Sequence, residues 1–485
     1  MDRTKEKNDE HRGEQYLSIF RENDIRCLAD TERTTEKAWS IGAAFGQKVR
    51  DAGEQHCYVG QDVRLSSPRL VKALCAGLEY VGVEVRVLAP GPSPLLYFAA
   101  TLGDKDFPTK SGIMITGSHN PAEYNGFKAV VNDETLHGAD IRKIAALSLK
   151  FLADVPDAKE ILKKEHALVD LEERYVNFVK SNIRPLKHKI KVVLDAGNGA
   201  AGPLAIKAFK AIGCEVVPLY CDPDGRFPNH HPDPTIHKNL VDLIKTVKET
   251  KADLGIGFDG DGDRIGAVTP TGRIMAGDNM VLYFAREIIK EIPKATIISE
   301  VKSSQVLYDE LEKMGAKPIV WKTGHSLIKA KLKETKAALA GEMSGHMFFA
   351  HRYLAFDDAI YAGARLVEAL DTRLPETLED FMAKLPPVVN TPEIRIDCDD
   401  DKKFGIVEKF VSHAKELVGP ANVLDIDGAR VKFAQNGWGL LRASNTQPVL
   451  VMRFEAQSVA AMSEIRDFFV KALAKIDASV EVPQI

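Results

Sequence analysis

No C-x-x-C pair occurs in this sequence. Its six cysteines, Cys27, Cys57, Cys75, Cys214, Cys221 and Cys398, lie scattered along 485 residues. That scatter reads as reduced, mostly buried thiols in a reducing compartment, and the cytoplasm is the expected location. No apolar run approaches the ~18 residues that a membrane span needs. No basic block is present and the formal net charge is −4, which argues against a nucleic-acid partner. Met1 to Gln15 is charged and lacks an apolar centre, so residues 1–15 are expected to be a disordered leader and not a signal peptide. A G-x-S-x-G elbow for acyl transfer is also missing.

What is present fits a globular enzyme. Hydrophobic residues make up 45% and charged residues 28%, enough for a sizeable core. Strand and helix signals alternate along most of the chain. Ser67 is read as the cap of a helix that has Pro68 at its first position, with Leu70, Leu74, Leu78 and Val81 on one face. Strands are expected at 83–88, 113–115, 191–194, 296–298, 318–320 and 337–339. Such alternation means βαβ units with parallel strands and functional loops at strand ends. After about residue 390 the pattern changes to a strand at Ile394, a helix over 404–417, several strands and a helix over 458–476. The expected division is α/β over 16–166, 167–273 and 274–385, then α+β over 386–485.

The densest chemistry is Asp259-Gly260-Asp261-Gly262-Asp263-Arg264. Carboxylates this close repel unless a cation sits among them, and hard divalent cations prefer oxygen ligands. An EF-hand loop needs glycine at its sixth position and glutamate at its twelfth. Counted from Asp259, those positions hold Arg264 and Pro270, so this is not a calcium loop. The apolar run Leu254 to Phe258 before it reads as a buried strand delivering the acids to its C-terminal end, where open α/β sheets bind ligands. The donor set suits Mg²⁺.

Other loops follow strands in the same way. Thr116 to Pro121 exposes Ser118 beside His119 on a rigid turn. A lone serine hydroxyl is a poor nucleophile and needs a base, a metal or a phosphate already attached. Lys322 to Ser326 contains Gly324 and His325, and Gly341 to His346 contains Glu342, Ser344 and His346, residue types that suit sugar hydroxyls and proton transfer. Arg442 to Pro448, with Ser444, Asn445 and Thr446, has the makings of a phosphate clamp. A competing signal is Gly197-Asn198-Gly199-Ala200-Ala201-Gly202, which matches G-x-G-x-x-G, with Asp222 where a ribose-binding acid would fall. It allows an NAD-dependent oxidoreductase, but it leaves the acidic and serine loops unexplained. A structural tight turn is the better reading.

Together, Thr116 to Pro121, Asn125 to Lys128, Asp259 to Arg264, Lys322 to Ser326, Gly341 to His346 and Arg442 to Pro448 resemble the α-D-phosphohexomutase superfamily, in its bacterial phosphomannomutase/phosphoglucomutase branch. The resemblance spans nearly the whole chain after residue 15. It implies three similar α/β domains with mixed sheets and a C-terminal TBP-like α+β domain around a central cleft. Ser118 is then the phosphoserine, and Asp259, Asp261, Asp263 and one phosphoserine oxygen hold Mg²⁺. Glu342 and Ser344 take sugar hydroxyls. Arg442, Ser444, Asn445 and Thr446 bind the phosphate that is not being transferred. Arg26 and Lys302 match substrate-side positions. Asn23 replaces an aromatic, Cys27 a glycine and Glu300 an aspartate, and Gln447 stands where many members carry an acid.

The expected reaction is reversible exchange of mannose or glucose 1-phosphate with the 6-phosphate, through a hexose 1,6-bisphosphate that turns end for end. Mg²⁺ and Arg264 would stabilise charge at the serine. Lys128, His119 and His346 remain open as general acid or base. Phosphoglucosamine mutase, with the same mechanism, prefers a different sugar loop. The expected partners are small sugar phosphates, acting on a monomer.

Overall fold

The computed structural model describes residues 16–31, 34–445 and 447–482. The expected leader over 1–15, and Thr446 of the expected clamp, lie outside them. Four sheets organise the chain. The first contains β1 (Ile25–Leu28), β2 (His56–Gln61), β3 (Glu84–Leu88), β4 (Gly112–Ile115), β5 (Tyr124–Val131), β6 (Glu134–Thr135) and β7 (Leu168–Val169). Its order is β1-β5-β4-β2-β3-β7, with β6 on β5, and it extends past residue 166. The second contains β8 (Lys191–Asp195), β9 (Glu215–Leu219), β10 (Leu254–Phe258), β11 (Ile265–Val268) and β12 (Ile274–Met275), in the order β12-β11-β10-β8-β9. The third contains β13 (Thr296–Glu300), β14 (Lys317–Trp321), β15 (Leu339–Gly341) and β16 (Met347–Phe349), in the order β14-β13-β15-β16.

These three sheets share one plan. Parallel strands with helical crossovers fill the interior, and one antiparallel strand closes the functional side. β4 pairs antiparallel with β5, β10 with β11, and β15 with β16. Each site loop is therefore the hairpin between the last parallel strand and its antiparallel neighbour. The registers Ile115↔Phe127, Phe258↔Ile265 and Gly341↔Met347 fix the base of each loop. The fourth sheet is antiparallel and contains β17 (Val389–Asn390), β18 (Ile394–Asp397), β19 (Val423–Leu424), β20 (Ala429–Lys432), β21 (Trp438–Ala443) and β22 (Val449–Ala456). Helices 400–418 and 459–476 cover it. Its site loop is also a hairpin, from β21 to β22, closed at Ala443↔Leu450.

The second sheet also runs past the expected boundary at 273, to Met275, and Ser118, expected to be exposed, is buried; two local elements differ as well. The helix at 67–80 begins after Ser66, and the Ser67 hydroxyl does not cap it but donates to Asp62 Oδ1 at 2.7 Å. Strand β15 starts two residues later than expected. Helix 325–335 ends on a left-handed Lys336, and the Ala337 amide returns to Leu332 O at 3.1 Å, which ties Ala337 to the helix end. The interior is built from several apolar clusters, one of which, around Trp39, Phe45 and Leu74, belongs to the first unit alone. One apolar cluster joins Phe98, Tyr175, Ile256, Tyr283 and Phe349 across the first three units, while Phe410, Phe454 and Phe469 centre a separate core in the fourth. Among the described residues no helix is long and apolar enough to cross a membrane.

Candidate active site

Ser118 sits at the tip of the first hairpin, buried and with φ of +48°. A non-glycine residue in the left-handed region persists only where its surroundings hold it, and such residues gather at functional sites. The hold comes from Arg64. All five N–H bonds of its buried guanidinium are engaged: Nε with Asp62 Oδ2 at 3.1 Å, Nη1 with Pro121 O at 2.5 Å and Tyr124 O at 2.9 Å, Nη2 with Ser118 O at 2.8 Å and Asn120 O at 2.6 Å. Gly117 is required here, because a Cβ would stand 2.5 Å from Cζ of Arg64. The serine hydroxyl donates to Asp259 Oδ2 at 3.0 Å. The candidate nucleophile of the first unit thus meets the acidic loop of the second.

Asp259, Asp261 and Asp263 are fully buried, and one oxygen from each falls within 4.8 Å of the others. Asp259 Oδ1 accepts the amides of Asp263 at 3.0 Å and Arg264 at 3.1 Å, which curls the loop. Asp261 Oδ2 accepts Ser93 Oγ at 2.5 Å. Lys128 from β5 donates to Asp261 at 2.7 Å and Asp263 at 2.5 Å. Asp261 Oδ1 and Asp263 Oδ1 have no hydrogen-bond partner. Burial, with Asp263 and Asp261 beside it, pushes the Asp259 carboxyl up. Burial also works against Asp261, but the Lys128 ammonium outweighs it and holds that carboxyl below the usual range. Two bare buried oxygens beside a third carboxylate, with no sulfur or imidazole in the set, fit a hard divalent cation.

The Arg264 backbone bridges to His346 of the third unit, and its Nε donates to His346 Nε2 at 3.0 Å. His346 Nδ1 lies 3.1 Å from Asp357 Oδ2. His119 faces Asp233 at 2.9 Å, and burial followed by Arg264 pushes its imidazole down to about 3. Of the three candidate proton carriers, two are histidines backed by a carboxylate. The third, Lys128, points into the aspartates, and Asp261 and Asp263 overcome its burial to hold it charged. On the sugar side, the Gly324 amide donates to Glu342 Oε1 at 2.7 Å. Burial and then Glu300 raise the Glu342 carboxyl. Arg26 donates from Nε to Asp24 at 2.7 Å and from Nη1 to Asn120 at 3.1 Å.

One cavity of about 1740 Å³ is lined by Arg26, His119, Arg264, Lys302, Gly324, His325, Glu342, Ser344, His346, Arg442, Ser444 and Asn445. It exceeds the roughly 300–1,000 Å³ of most ligand pockets. The structure therefore gathers most of the described sequence-selected residues around one cleft; Ser118, Lys128 and the three aspartates do not line it but are buried behind Arg264 and His346, to which the acidic loop is joined. The G-x-G-x-x-G turn lies elsewhere in function. Its Ala200 amide donates to Gly260 O at 2.9 Å and Asn198 donates to Asp222 O at 2.8 Å, so it braces the acidic loop, as a structural turn does. Sequence reasoning missed Asp62, Arg64 and Asp357. The first two could have been found, since Gln61-Asp62-Val63-Arg64 leaves strand β2 as the other polar loops leave theirs.

Four units closing on one polar cleft, each contributing a hairpin loop, define an α-D-phosphohexomutase. The chain belongs to the phosphoglucomutase/phosphomannomutase family: the family's alpha/beta/alpha domains I, II and III match residues 17–150, 173–272 and 276–389, and its C-terminal domain matches 393–472. It is 45% identical over 466 residues to a phosphomannomutase/phosphoglucomutase of Pseudomonas putida, covering 96% of this chain and 97% of that one. It is 40% identical over 451 residues to a phosphoglucomutase of Neisseria meningitidis serogroup A, covering 93% and 95%. A crystal structure of a phosphoglucomutase/phosphomannomutase family protein from Burkholderia thailandensis superposes with a TM-score of 0.87 at 42% identity, covering 96% of this chain and 99% of that one.

Proposed function

We propose that this cleft interconverts hexose 1-phosphates and hexose 6-phosphates of mannose and glucose, with Ser118 as the phosphoryl carrier. The observation that carries the reading is the Ser118 hydroxyl placed on Asp259 at the junction of two hairpins. In the phosphorylated enzyme the Ser118 O–P bond breaks as the free sugar hydroxyl bonds to phosphorus, and the proton of that hydroxyl passes to a histidine. His119, backed by Asp233, and His346, backed by Asp357, are the candidates, the latter only once Arg264 leaves its Nε2, while Lys128 is set aside because the aspartates hold it charged. The bisphosphate turns in the large cleft, and its other phosphate returns to Ser118. Asp259, Asp261, Asp263 and a phosphoserine oxygen would hold Mg²⁺, which would supply positive charge near the transferring phosphoryl group. Arg264 adds a fixed guanidinium beside it. Glu342 and Ser344 select hydroxyls. Arg442, Ser444, Asn445 and Thr446 hold the distal phosphate, and Lys302 and Arg26, which line the same cleft, also contact the substrate. Hexose 1,6-bisphosphate serves as activator, and the enzyme works as a cytoplasmic monomer.

Coupled mutase assays on mannose, glucose and glucosamine 1-phosphate, with bisphosphate added, test the reading. Ser118→Ala is expected to remove nearly all turnover with an unchanged melting profile, and intact-mass measurement should find phosphate on wild-type Ser118. Wild-type turnover in Ser118→Ala without bisphosphate refutes the phosphoserine mechanism. Preference for glucosamine 1-phosphate would instead favour the phosphoglucosamine mutase reading.

A further inference from the structure

At the boundary between the third and fourth units, one carboxylate accepts hydrogen bonds from both sides. Asp427 lies in the turn between β19 and β20. Its Oδ2 accepts from Arg442 Nε at 3.0 Å and from the Thr323 amide at 2.9 Å, and its Oδ1 accepts from Arg442 Nη2 at 3.3 Å. Thr323 opens the loop that carries Gly324 and His325. Its hydroxyl donates to Glu300 Oε2 at 2.6 Å, and Glu300 Oε1 accepts the Met343 amide at 2.9 Å. A single line of bonds runs from Arg442 of the fourth unit to both sugar-side loops of the third.

We infer that Asp427 is a positioning residue that sets the distance between Arg442 and the Thr323–His325 loop, so that both meet one hexose phosphate. The inference rests on the assignment of Arg442 to the distal phosphate. A guanidinium carries five N–H donors in a planar fork. Asp427 takes one edge of that fork, Nε and Nη2, and leaves the remaining donors for an anion. An arginine already held in one rotamer loses less freedom on binding. The opposing effect is that the negative carboxylate weakens the pull of Arg442 on a phosphate. Sharing of Oδ2 with the Thr323 amide blunts that effect, because the amide draws on the same charge. Orientation therefore wins, and the site is weaker without Asp427.

Steady-state kinetics on the full chain, with glucose 1-phosphate and bisphosphate activator, decide this. Arg442→Ala, Asp427→Asn and the double variant are compared, each with a melting profile. Asp427→Asn is expected to raise KM about tenfold, as for loss of one charge-assisted bond, with kcat within about threefold of wild type. The double variant is expected to match Arg442→Ala alone, since the two changes act through one guanidinium. An unchanged or lowered KM in Asp427→Asn, or effects that multiply in the double variant, overturns the inference. Should Asp427→Asn not fold, Asp427→Glu is judged by the same criteria, because it keeps the charge and alters the reach. If Arg442→Ala itself leaves KM unchanged, the phosphate assignment has failed instead.

Discussion

Replacing Arg64 with lysine keeps the charge and removes the fork. Lysine has three donors where arginine has five, and all five are used, four of them on carbonyls of the serine hairpin and one on Asp62. At least two acceptors must therefore lose their partner. Water cannot replace it easily, because Arg64 is 1% exposed. Hydrogen bonds to charged groups are worth about 1.5–3 kcal/mol each, so Arg64→Lys should destabilise the first unit by about 3–6 kcal/mol. Asp62 remains partly satisfied by the Arg64 amide at 3.0 Å, Ser67 Oγ at 2.7 Å and the Gly117 amide at 3.2 Å, so the loss falls on the hairpin.

The functional effect follows from the same bonds. Ser118 keeps its left-handed backbone only while its carbonyl and those of Asn120 and Pro121 are gathered by one guanidinium. Released, the hydroxyl drifts from Asp259, and a misplacement of about 1 Å costs about 10²-fold in rate. Arg64→Lys is expected to lower kcat by about that factor with KM nearly unchanged, since Arg64 touches no cleft surface. Urea denaturation followed by fluorescence, with single-turnover phosphoryl transfer from labelled phosphoenzyme, reads both quantities. If Arg64→Lys keeps wild-type kcat and midpoint, the guanidinium is not what holds the serine, and the strain at Ser118 has another support.

Three further outcomes are expected. Exhaustive chelation should abolish turnover and added Mg²⁺ should restore it, while Asp261→Asn weakens metal binding without unfolding the protein; full activity in metal-free enzyme removes the cation from the site. Mannose and glucose 1-phosphates should turn over at comparable rates if Glu342 and Ser344 bond hydroxyls common to both, as proposed; a preference of several hundredfold contradicts dual use. Burial raises the Asp358 carboxyl from 3.8 to about 6, against hydrogen bonds from Tyr353 and Tyr175. The folded state then binds this proton more tightly than the unfolded one, so its contribution favours folding below about pH 4 and is lost as pH rises to about 6, by about 3 kcal/mol. Asp358→Asn should remove that slope, and a pH-independent difference between the two proteins refutes it.

The acidic loop was legible because its chemistry is local: three carboxylates within five residues leave few options besides a cation. The parallel strands were legible because fully buried runs such as Leu254 to Phe258 carry no polar residue. Strand β15 was misplaced because the end of a helix is decided by a left-handed backbone at Lys336, which a lysine gives no reason to expect. Arg64 and Asp427 escaped for a different reason. Each is an ordinary charged residue in a short loop, and its partners lie 54 or more residues away for the Ser118 carbonyl and 104 for the Thr323 amide. Only the folded chain brings donor and acceptor together, so no local spacing marks them.

The four hairpins also explain why the site spans the whole chain. A phosphoryl carrier that must serve both ends of one sugar needs its reacting group fixed and its distal clamp able to accept either phosphate. Rigid placement is supplied where the first three units share a core: Ser118 on Asp259, Arg264 on His346, and His346 beside Asp357 form one buried line across them. The proposed clamp instead stands on a unit with its own core around Phe410 and Phe469. Its direct polar ties to the third unit include Asp427 on Thr323, Lys302 on Glu393 at 3.1 Å and Arg430 on Val301 O at 2.5 Å. That boundary also holds a small buried apolar cluster of Val301, Trp438 and Leu440, whose close packing resists sliding, so polar and apolar contacts share it. The chain therefore divides into three units that share one large apolar cluster and a fourth unit joined to the third through polar ties and a much smaller cluster, a division that suits the two demands of the proposed reaction, a fixed chemical centre and a distal clamp.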